Sequence, residues 1–419
     1  MPLSHILVSL LPLVLITPPI TQAQITYSTY AADSAISRGQ GNGLSAGVPI
    51  VSYEHGEFQW ALRLLYERTG NQSYFDYIQA GVDRNVADNG TRCRVASHSL
   101  SSYQLDPVRV GPTFVYLYNT TGEAKYQEAA DLFRKQLETH PRTSEGQFWH
   151  KLMYPSQGWL DGIYMGSVFY ATYTAAFQPT NQSAWDDILL QFTLMHNHTL
   201  QLPSALNTTD NETYVGLLYH AYDNSFVQDW ASPDRGHSPE VWDRAVGWYM
   251  MALVDVLDII DTTPAISANS TLDLEPHHAT LQGYLSTLTD NLISAATTDA
   301  VNSSDAWWLV MSQPYRAGNY FESSGSTMFV YAILRGIRLG YIDDSDGSKV
   351  EVMKKSYEYM VDNWVIPQGN GTMDWNNTVI VGSMQPGNDY EYYVSQAIDI
   401  NDLKGVASFV LASYEYELL

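Results

Sequence analysis

The sequence predicts an all-α toroid, in which helices pair into six hairpins and the pairs close into a ring. Three observations predict it. Apolar residues recur at helical spacing, and long strand-like alternation is scarce. One motif returns at an offset of 52 residues. Chemically unusual residues collect at the starts of alternate helices.

Taken in order, residues 1–23 stand outside the fold. Ile6–Leu15 form a short apolar core, Pro18 and Pro19 break it, and Thr21-Gln22-Ala23 places small residues before a cleavage site. This reads as a secretory signal peptide. The run is too short and too broken for a membrane anchor, and no later stretch reaches about 18 uninterrupted apolar residues. Residues 24–419 are expected to form a single domain with no membrane partner. Eleven Asn-X-Ser/Thr sites, at Asn71, Asn89, Asn119, Asn181, Asn197, Asn207, Asn211, Asn269, Asn302, Asn370 and Asn376, fit a secreted, extracellular glycoprotein.

Helical spacing places twelve helices at roughly 27–38, 54–69, 73–87, 106–120, 123–138, 161–178, 183–197, 239–260, 277–297, 322–340, 347–364 and 400–418. Phe58, Ala61, Leu62, Leu65 and Tyr66 share one face, as do Leu253, Val256, Leu257 and Ile260, and Met328, Tyr331, Ala332 and Ile333. The repeat is Leu65-Tyr66-x-x-Thr69-Gly70-x-x-x-Tyr74, which returns as Leu117-Tyr118-x-x-Thr121-Gly122-x-x-x-Tyr126. Thr-Gly stops one helix and the Tyr packs at the start of the next. About fifty residues per helix pair suits stacked α-hairpins. An open solenoid that binds a partner protein would share that period. It does not account for Asp106, Asp161, and Arg244 with Trp248, all at helix starts. In a closed ring these starts meet at one mouth, where aligned N–H groups favour an anion. The segments 198–238 and 365–399 are long, aromatic and polar, and are expected to roof that mouth.

Composition bounds the chemistry. The formal net charge is −24, with 21 Lys and Arg against 45 Asp and Glu. That argues against nucleic acid, which needs a basic face. Cys93 is the one cysteine, so internal disulfides and cysteine-based zinc sites are excluded. His196-x-His198 and His277-His278 lack zincin spacing and read as surface residues. No G-x-S-x-G elbow or phosphate loop occurs, so no cofactor is expected, and a monomer is.

Eleven Trp and thirty Tyr exceed core needs and suit stacking on sugars. They crowd with charge in Phe148–Tyr173. His150-Lys151 is a cationic pair in a cation-poor chain, and either a surface pair or an anion contact. Trp159 is either core or a stacking platform. Asp161, between a Trp-Leu pair and Gly162, is either an N-cap or a partly desolvated, proton-retaining acid. His220 sits at a loop edge in Leu218–Asp223. Trp248 lies four residues beyond Arg244 on one helical face. Arg244 either pairs with Asp243 or Glu240 or faces the cleft and grips a carboxylate bidentately.

The motifs Tyr53-Glu54-His55-Gly56, Leu105-Asp106 with Gly111, Phe148-Trp149-His150-Lys151 and Trp159-Leu160-Asp161-Gly162-Ile163-Tyr164-Met165 occur in that order. They continue with Tyr219-His220-Ala221, Ser238-Pro239-Glu240-x-Trp242-x-Arg244-x-x-Gly247-Trp248, Glu322-Ser323-Ser324-Gly325-Ser326 and Asn401-Asp402-Leu403-Lys404-Gly405. From about Tyr53 to the C-terminus the chain resembles the unsaturated rhamnogalacturonyl hydrolases, glycoside hydrolase family 105, with the unsaturated glucuronyl hydrolases as cousins. The resemblance implies an (α/α)6 barrel that hydrates the 4,5 double bond of an unsaturated uronate left by pectin lyases. It implies that Asp161 is the acid/base. It further implies that Asp106, His150, Trp159, His220, Arg244 and Trp248 line the sugar subsite, with Tyr53, Lys151 and Trp242 around it. The released aglycone is expected to be a sugar such as rhamnose. Gln147 and Gly158 stand where relatives carry Gly and Met, and Val406-Ala407-Ser408 replaces a Gly-containing run, which bears on the leaving-sugar subsite. Two readings compete. One is an ordinary two-carboxylate glycosidase such as an endo-mannanase, using Asp186-Asp187 beside Trp185. The other is a catalytically silent carbohydrate-binding toroid.

Overall fold

The computed structural model describes residues 26–88, 93–207, 211–268, 272–297, 305–384 and 388–419. The predicted signal segment and the sequons at Asn89, Asn269 and Asn302 lie outside those residues. The fold is 58% helix. Twelve long helices carry it: α1 (Tyr27–Ser37), α2 (Tyr53–Thr69), α3 (Gln72–Asp83), α4 (Gly111–Thr121), α5 (Ala124–Thr139), α6 (160–177), α7 (Gln182–Thr199), α8 (Asp243–Thr262), α9 (Glu275–Thr297), α10 (Ser323–Arg338), α11 (Ser348–Trp364) and α12 (Leu403–Tyr416).

The even-numbered helices form the inner ring. Each packs on the next, and α12 returns to α2, so the ring closes. Each odd-numbered helix packs outside: α3 on α2, α5 on α4, α7 on α6, α9 on α8, α11 on α10 and α1 on α12. Burial follows this division. α10 is buried along nearly its whole length, whereas α3 buries Tyr74, Phe75, Ile78, Gly81 and Val82 along one stripe. Inner helices approach closely where side chains vanish. A Cβ on Gly56 would stand 2.6 Å from the Arg109 carbonyl oxygen, so α2 could not lie against the turn that leads into α4.

The repeat behaves as its letters predict. Gly70 and Gly122 adopt left-handed φ of 67° and 73°, and each N–H donates to a Tyr carbonyl at 2.8 Å, Tyr66 and Tyr118 respectively. The Thr69 and Thr121 hydroxyls donate to the Leu65 and Leu117 carbonyls. Tyr74 and Tyr126 are buried and donate to Asp33 and Asp83.

Four predicted boundaries move. Residues 106–110 are a 3-10 turn, and α4 begins only at Gly111. α3 stops at Asp83 because Val86–Asp88 pairs with Cys93–Val95. α8 starts at Asp243 rather than near 239, since Trp242 bridges to Val310 in an extended pairing. α12 starts at Leu403 behind an Asp402 cap. α6 is itself irregular: α-helical over Leu160–Gly162, a π turn over Ile163–Ser167, then α-helical over Val168–Phe177.

Strands among the described residues are two or three residues long, in five two-stranded antiparallel sheets. Two of these build the mouth: β1 (Gln157–Trp159) with β2 (Ala221–Asp223), and β3 (Thr378–Val379) with β4 (Ile398–Asp399). Among the described residues no helix is long and apolar enough to cross a membrane.

Candidate active site

The β1–β2 ladder positions the central pair. Trp159 lies opposite Ala221, and the next backbone bond runs from Leu160 N to His220 O at 3.0 Å. Asp161 and His220 therefore sit side by side, and His220 Nε2 lies 3.1 Å from Asp161 Oδ2. His220 is wholly buried, while the Asp161 side chain keeps 15% exposure. His220 Nδ1 lies 2.7 Å from the Tyr393 hydroxyl. Asp161 is not an N-cap; Trp159 holds that place, with no side-chain cap. Burial raises the Asp161 pKa, but electrostatic attraction to the His220 imidazole and its hydrogen bond, with His150, outweigh it and leave it below the ordinary value. In the unliganded protein Asp161 is thus a carboxylate, a balance the sequence leaves open.

A second cluster stands beside it. Gln104 bridges to Lys151, and Leu105 N donates to the His150 carbonyl. Asp106 Oδ1 is 3.2 Å from His150 Nε2, and Oδ2 is 2.6 Å from Lys151 Nζ. Gln104 Nε2 donates to Oδ2 at 3.1 Å. Burial opposes ionisation, yet His150 and Lys151 hold the Asp106 pKa far below the usual carboxylate range. A depressed folded pKa stabilises the protein above the unfolded value, near 3.9, and the gain is lost as pH falls through the folded value. Asp106→Asn should therefore cost stability at neutral pH, and the deficit should shrink below about pH 4. Urea unfolding of both proteins across that range checks it. A deficit that does not change with pH would rule out this charge linkage.

The tryptophans line the site from within its wall. Trp159 is 4% exposed, stacked with His150 at 4.4 Å and with Tyr154 at 4.9 Å. Its Nε1 donates to Gln157 Oε1. Trp242 lies 4.8 Å from His220 and 5.7 Å from Tyr393. Trp248 stacks on Tyr164 at 4.9 Å and takes the edge of Tyr53 at 6.2 Å. Trp242 and Trp248 are as buried as Trp159, so these rings set the positions of polar neighbours. Tyr53, half-buried, has a pKa raised well above 10, chiefly by burial and by Glu54.

Arg244 differs most from its predicted setting. It is 1% exposed. Its NH1 donates to Val379 O at 2.7 Å and to Ser324 Oγ, and its NH2 donates to Ile380 O at 2.6 Å. Glu322 lies 3.9 Å away. Glu322 is itself the side-chain cap of α10, accepting from Gly325 N at 2.8 Å. Burial and the neighbouring Glu322 push the Asp243 pKa well above the carboxylate range. Gly325 admits the pair, because a Cβ there would stand 2.5 Å from Asp243 Oδ2. Arg244 thus ties α8 and α10 to the strand segment above them. Lys404, nearly buried, pairs with Asp402 at 2.7 Å and Glu54 at 3.3 Å.

The structure therefore brings Tyr53, Asp106, His150, Lys151, Trp159, Asp161, His220, Trp242, Arg244 and Trp248 to the N-terminal ends of the inner helices. Both predicted roofing segments contribute there: 198–238 gives His220 and Trp230, and 365–399 gives Val379, Ile380, Met384 and Tyr393. Tyr393, Tyr154, Glu322 and Lys404 were not singled out as site residues. Only the position of Tyr393 in the roofing segment hinted at its place. Asp186 and Asp187 lie on the outer helix α7, bonded to His277 and Arg142, away from the mouth. His196 is half-buried and stacks on Tyr284, and His198 is bonded to Glu145. Among the described residues no cluster of His, Cys, Asp and Glu could hold a metal ion.

Comparison with known proteins agrees with this fold. The profile of Glycosyl Hydrolase Family 88 matches residues 32–419. A solved family 105 glycoside hydrolase from C. acetobutylicum superposes with a TM-score of 0.81 at 32% identity, over 94% of this chain and 100% of that one. Protein Atu3128 of Agrobacterium fabrum is 32% identical over 212 residues, 49% of this chain and 83% of that protein. The unsaturated rhamnogalacturonyl hydrolase YesR of Bacillus subtilis is 26% identical over 205 residues, 47% of this chain and 51% of that one.

Proposed function

Because this chain belongs to glycosyl hydrolase family 88, and so is a glycosidase on an (α/α)6 toroid, we propose that it hydrates the 4,5 double bond of an unsaturated galacturonyl residue. That residue stands at the non-reducing end of rhamnogalacturonan lyase products. The observation that carries the reading is the division of labour between two carboxylates. Asp106 is clamped as an anion by His150 and Lys151, whereas Asp161 is paired with the His220 imidazole.

The chemistry follows from one exchangeable proton. Asp161 gives a proton to C4 of the vinyl ether, and positive charge develops at C5 and the ring oxygen. Asp161, now a carboxylate, takes a proton from water as the water oxygen bonds to C5. The resulting hemiketal opens to a ketone at C5, and C1 then expels the aglycone as an alcohol. One water is consumed and Asp161 ends protonated. Asp161 starts ionised in the empty site, so the substrate must help to load it. A uronate carboxylate arriving nearby raises the pKa of a neighbouring acid.

Secretion belongs to the same reading. Of the eight sequon asparagines among the described residues, six are exposed and Asn181 and Asn376 are half-buried, which suits glycan attachment. The test is the ultraviolet absorbance of the conjugated double bond during incubation with unsaturated galacturonyl-rhamnose. Loss of absorbance with release of free rhamnose supports the proposal. A constant signal, with cleavage of the saturated disaccharide instead, overturns it.

A further inference from the structure

We propose that Tyr393 is a positioning residue that acts through His220 to decide whether Asp161 carries its proton. The inference rests on the reading of Asp161 as the acid/base and extends it to a residue of the roofing segment.

The observation is an unbroken chain of polar atoms. Met384 Sδ lies 3.8 Å from the Tyr393 hydroxyl, which lies 2.7 Å from His220 Nδ1, and His220 Nε2 lies 3.1 Å from Asp161 Oδ2. His220 is wholly buried and Tyr393 is 1% exposed, so bulk water does not replace either partner. The imidazole is also held in place. Its residue is pinned by His220 N to Glu240 O at 3.2 Å and Leu160 N to His220 O, and its ring lies between Trp159 and Trp242. Only protons are free to move. Burial and nearby Glu240 hold the Tyr393 pKa well above 10, so the phenol stays protonated.

Two arrangements satisfy every atom. In the first, Tyr393 donates to Nδ1, and Nε2–H donates to the Asp161 carboxylate. The three groups then hold two protons. In the second, Tyr393 turns its hydroxyl to Met384 Sδ and accepts from Nδ1–H, while Nε2 accepts from a protonated Asp161. The three groups then hold three protons. The balance closes when Tyr393 passes its proton to Nδ1, Nε2–H passes to Asp161 and the phenolic oxygen takes up the added proton, so the ring carries one proton before and after. The hydrogen bond at one ring nitrogen thus selects the proton position at the other. The other charged or titratable groups facing this chain are His150 and Asp106 beside Asp161, and Glu240 and Tyr392 beside Tyr393. None of these is altered by the substitutions below.

Tyr393→Phe removes the acceptor for Nδ1–H. A buried N–H without a partner costs more than a bare lone pair, so the variant favours Nε2–H and an ionised Asp161. The alkaline limb of the kcat profile, where the acid is lost, should move to lower pH by about one unit. Turnover near neutral pH should fall about tenfold, with much less loss in acid and KM unchanged. Met384→Leu removes the alternative acceptor for the hydroxyl and should shift the limb in the same direction by less. Nitrogen-15 NMR of His220 in the empty protein, assigned with His220→Gln, reads the same property without turnover. As pH falls, wild type should pass from Nε2–H to Nδ1–H, while Tyr393→Phe should keep Nε2–H. An equal loss of kcat at every pH, an unmoved limb, or a wild-type ring that becomes doubly protonated would overturn the proposal. A wild type inactive on unsaturated substrates would instead refute the proposed reaction, and the NMR titration would still decide the role of Tyr393.

Discussion

Asp161→Asn is expected to lower turnover of the unsaturated disaccharide by about 10²- to 10⁴-fold, the usual contribution of a positioned general acid–base group. The loss should fall on kcat. Asparagine retains an acceptor oxygen for His220, which holds the ring 3.1 Å away. The mouth keeps its shape, so calorimetric binding of the substrate should persist. The same substitution at Asp186 or Asp187, bonded to His277 and Arg142 on the outer ring, should leave turnover unchanged. Full activity in Asp161→Asn would move the acid to another group. Equal losses at Asp161 and at an outer-ring acid would point to a structural effect of charge removal.

Arg244→Met is expected to destabilise the fold by about 3–5 kcal/mol, as when one partner of a buried charge pair is removed. The variant leaves the Val379 and Ile380 carbonyls without their donor and the buried Glu322 without its cation. Arg244→Lys should recover only part of the loss, because one ammonium cannot copy a planar fork aimed at two carbonyls. The urea midpoint of each variant reads the effect. A midpoint within error of wild type for Arg244→Met would show that the guanidinium is not what joins the inner ring to the segment above it.

Arg244 also shows where sequence reading stops. Its place on a helix start was legible from the spacing to Trp248. Its burial was not, because its partners are main-chain carbonyls 135 and 136 positions away, and carbonyls leave no mark on a sequence. Trp159 poses a different problem. The same indole serves as an exposed sugar platform or as an internal stack, and only the rings of His150 and Tyr154 against it decide. Tyr393 sits in the run Tyr390-Glu391-Tyr392-Tyr393, where nothing local singles it out, and it meets His220 across 173 positions. By contrast, the Thr-Gly stops and the packed tyrosines that follow were legible because each acts within one hairpin. The ring itself was legible for the same reason. Asp161 and His220 were found by their motifs, and the β1–β2 pairing that joins them came only with the structure.

The π turn at Ile163–Ser167 gives α6 one residue more than a regular helix would place there. Each residue of an α-helix adds about 100° of rotation. Upstream of the turn the helix aims Asp161 at His220; downstream, Val168, Phe169 and Ala171 fill the core. The extra residue uncouples the two phases. Reaction and packing would otherwise compete for a single azimuth, and a lineage could adjust one only by spoiling the other. Here the bearing of the carboxyl is written as a residue count, so a single-codon deletion would swing it by roughly a quarter turn while the apolar half stayed seated.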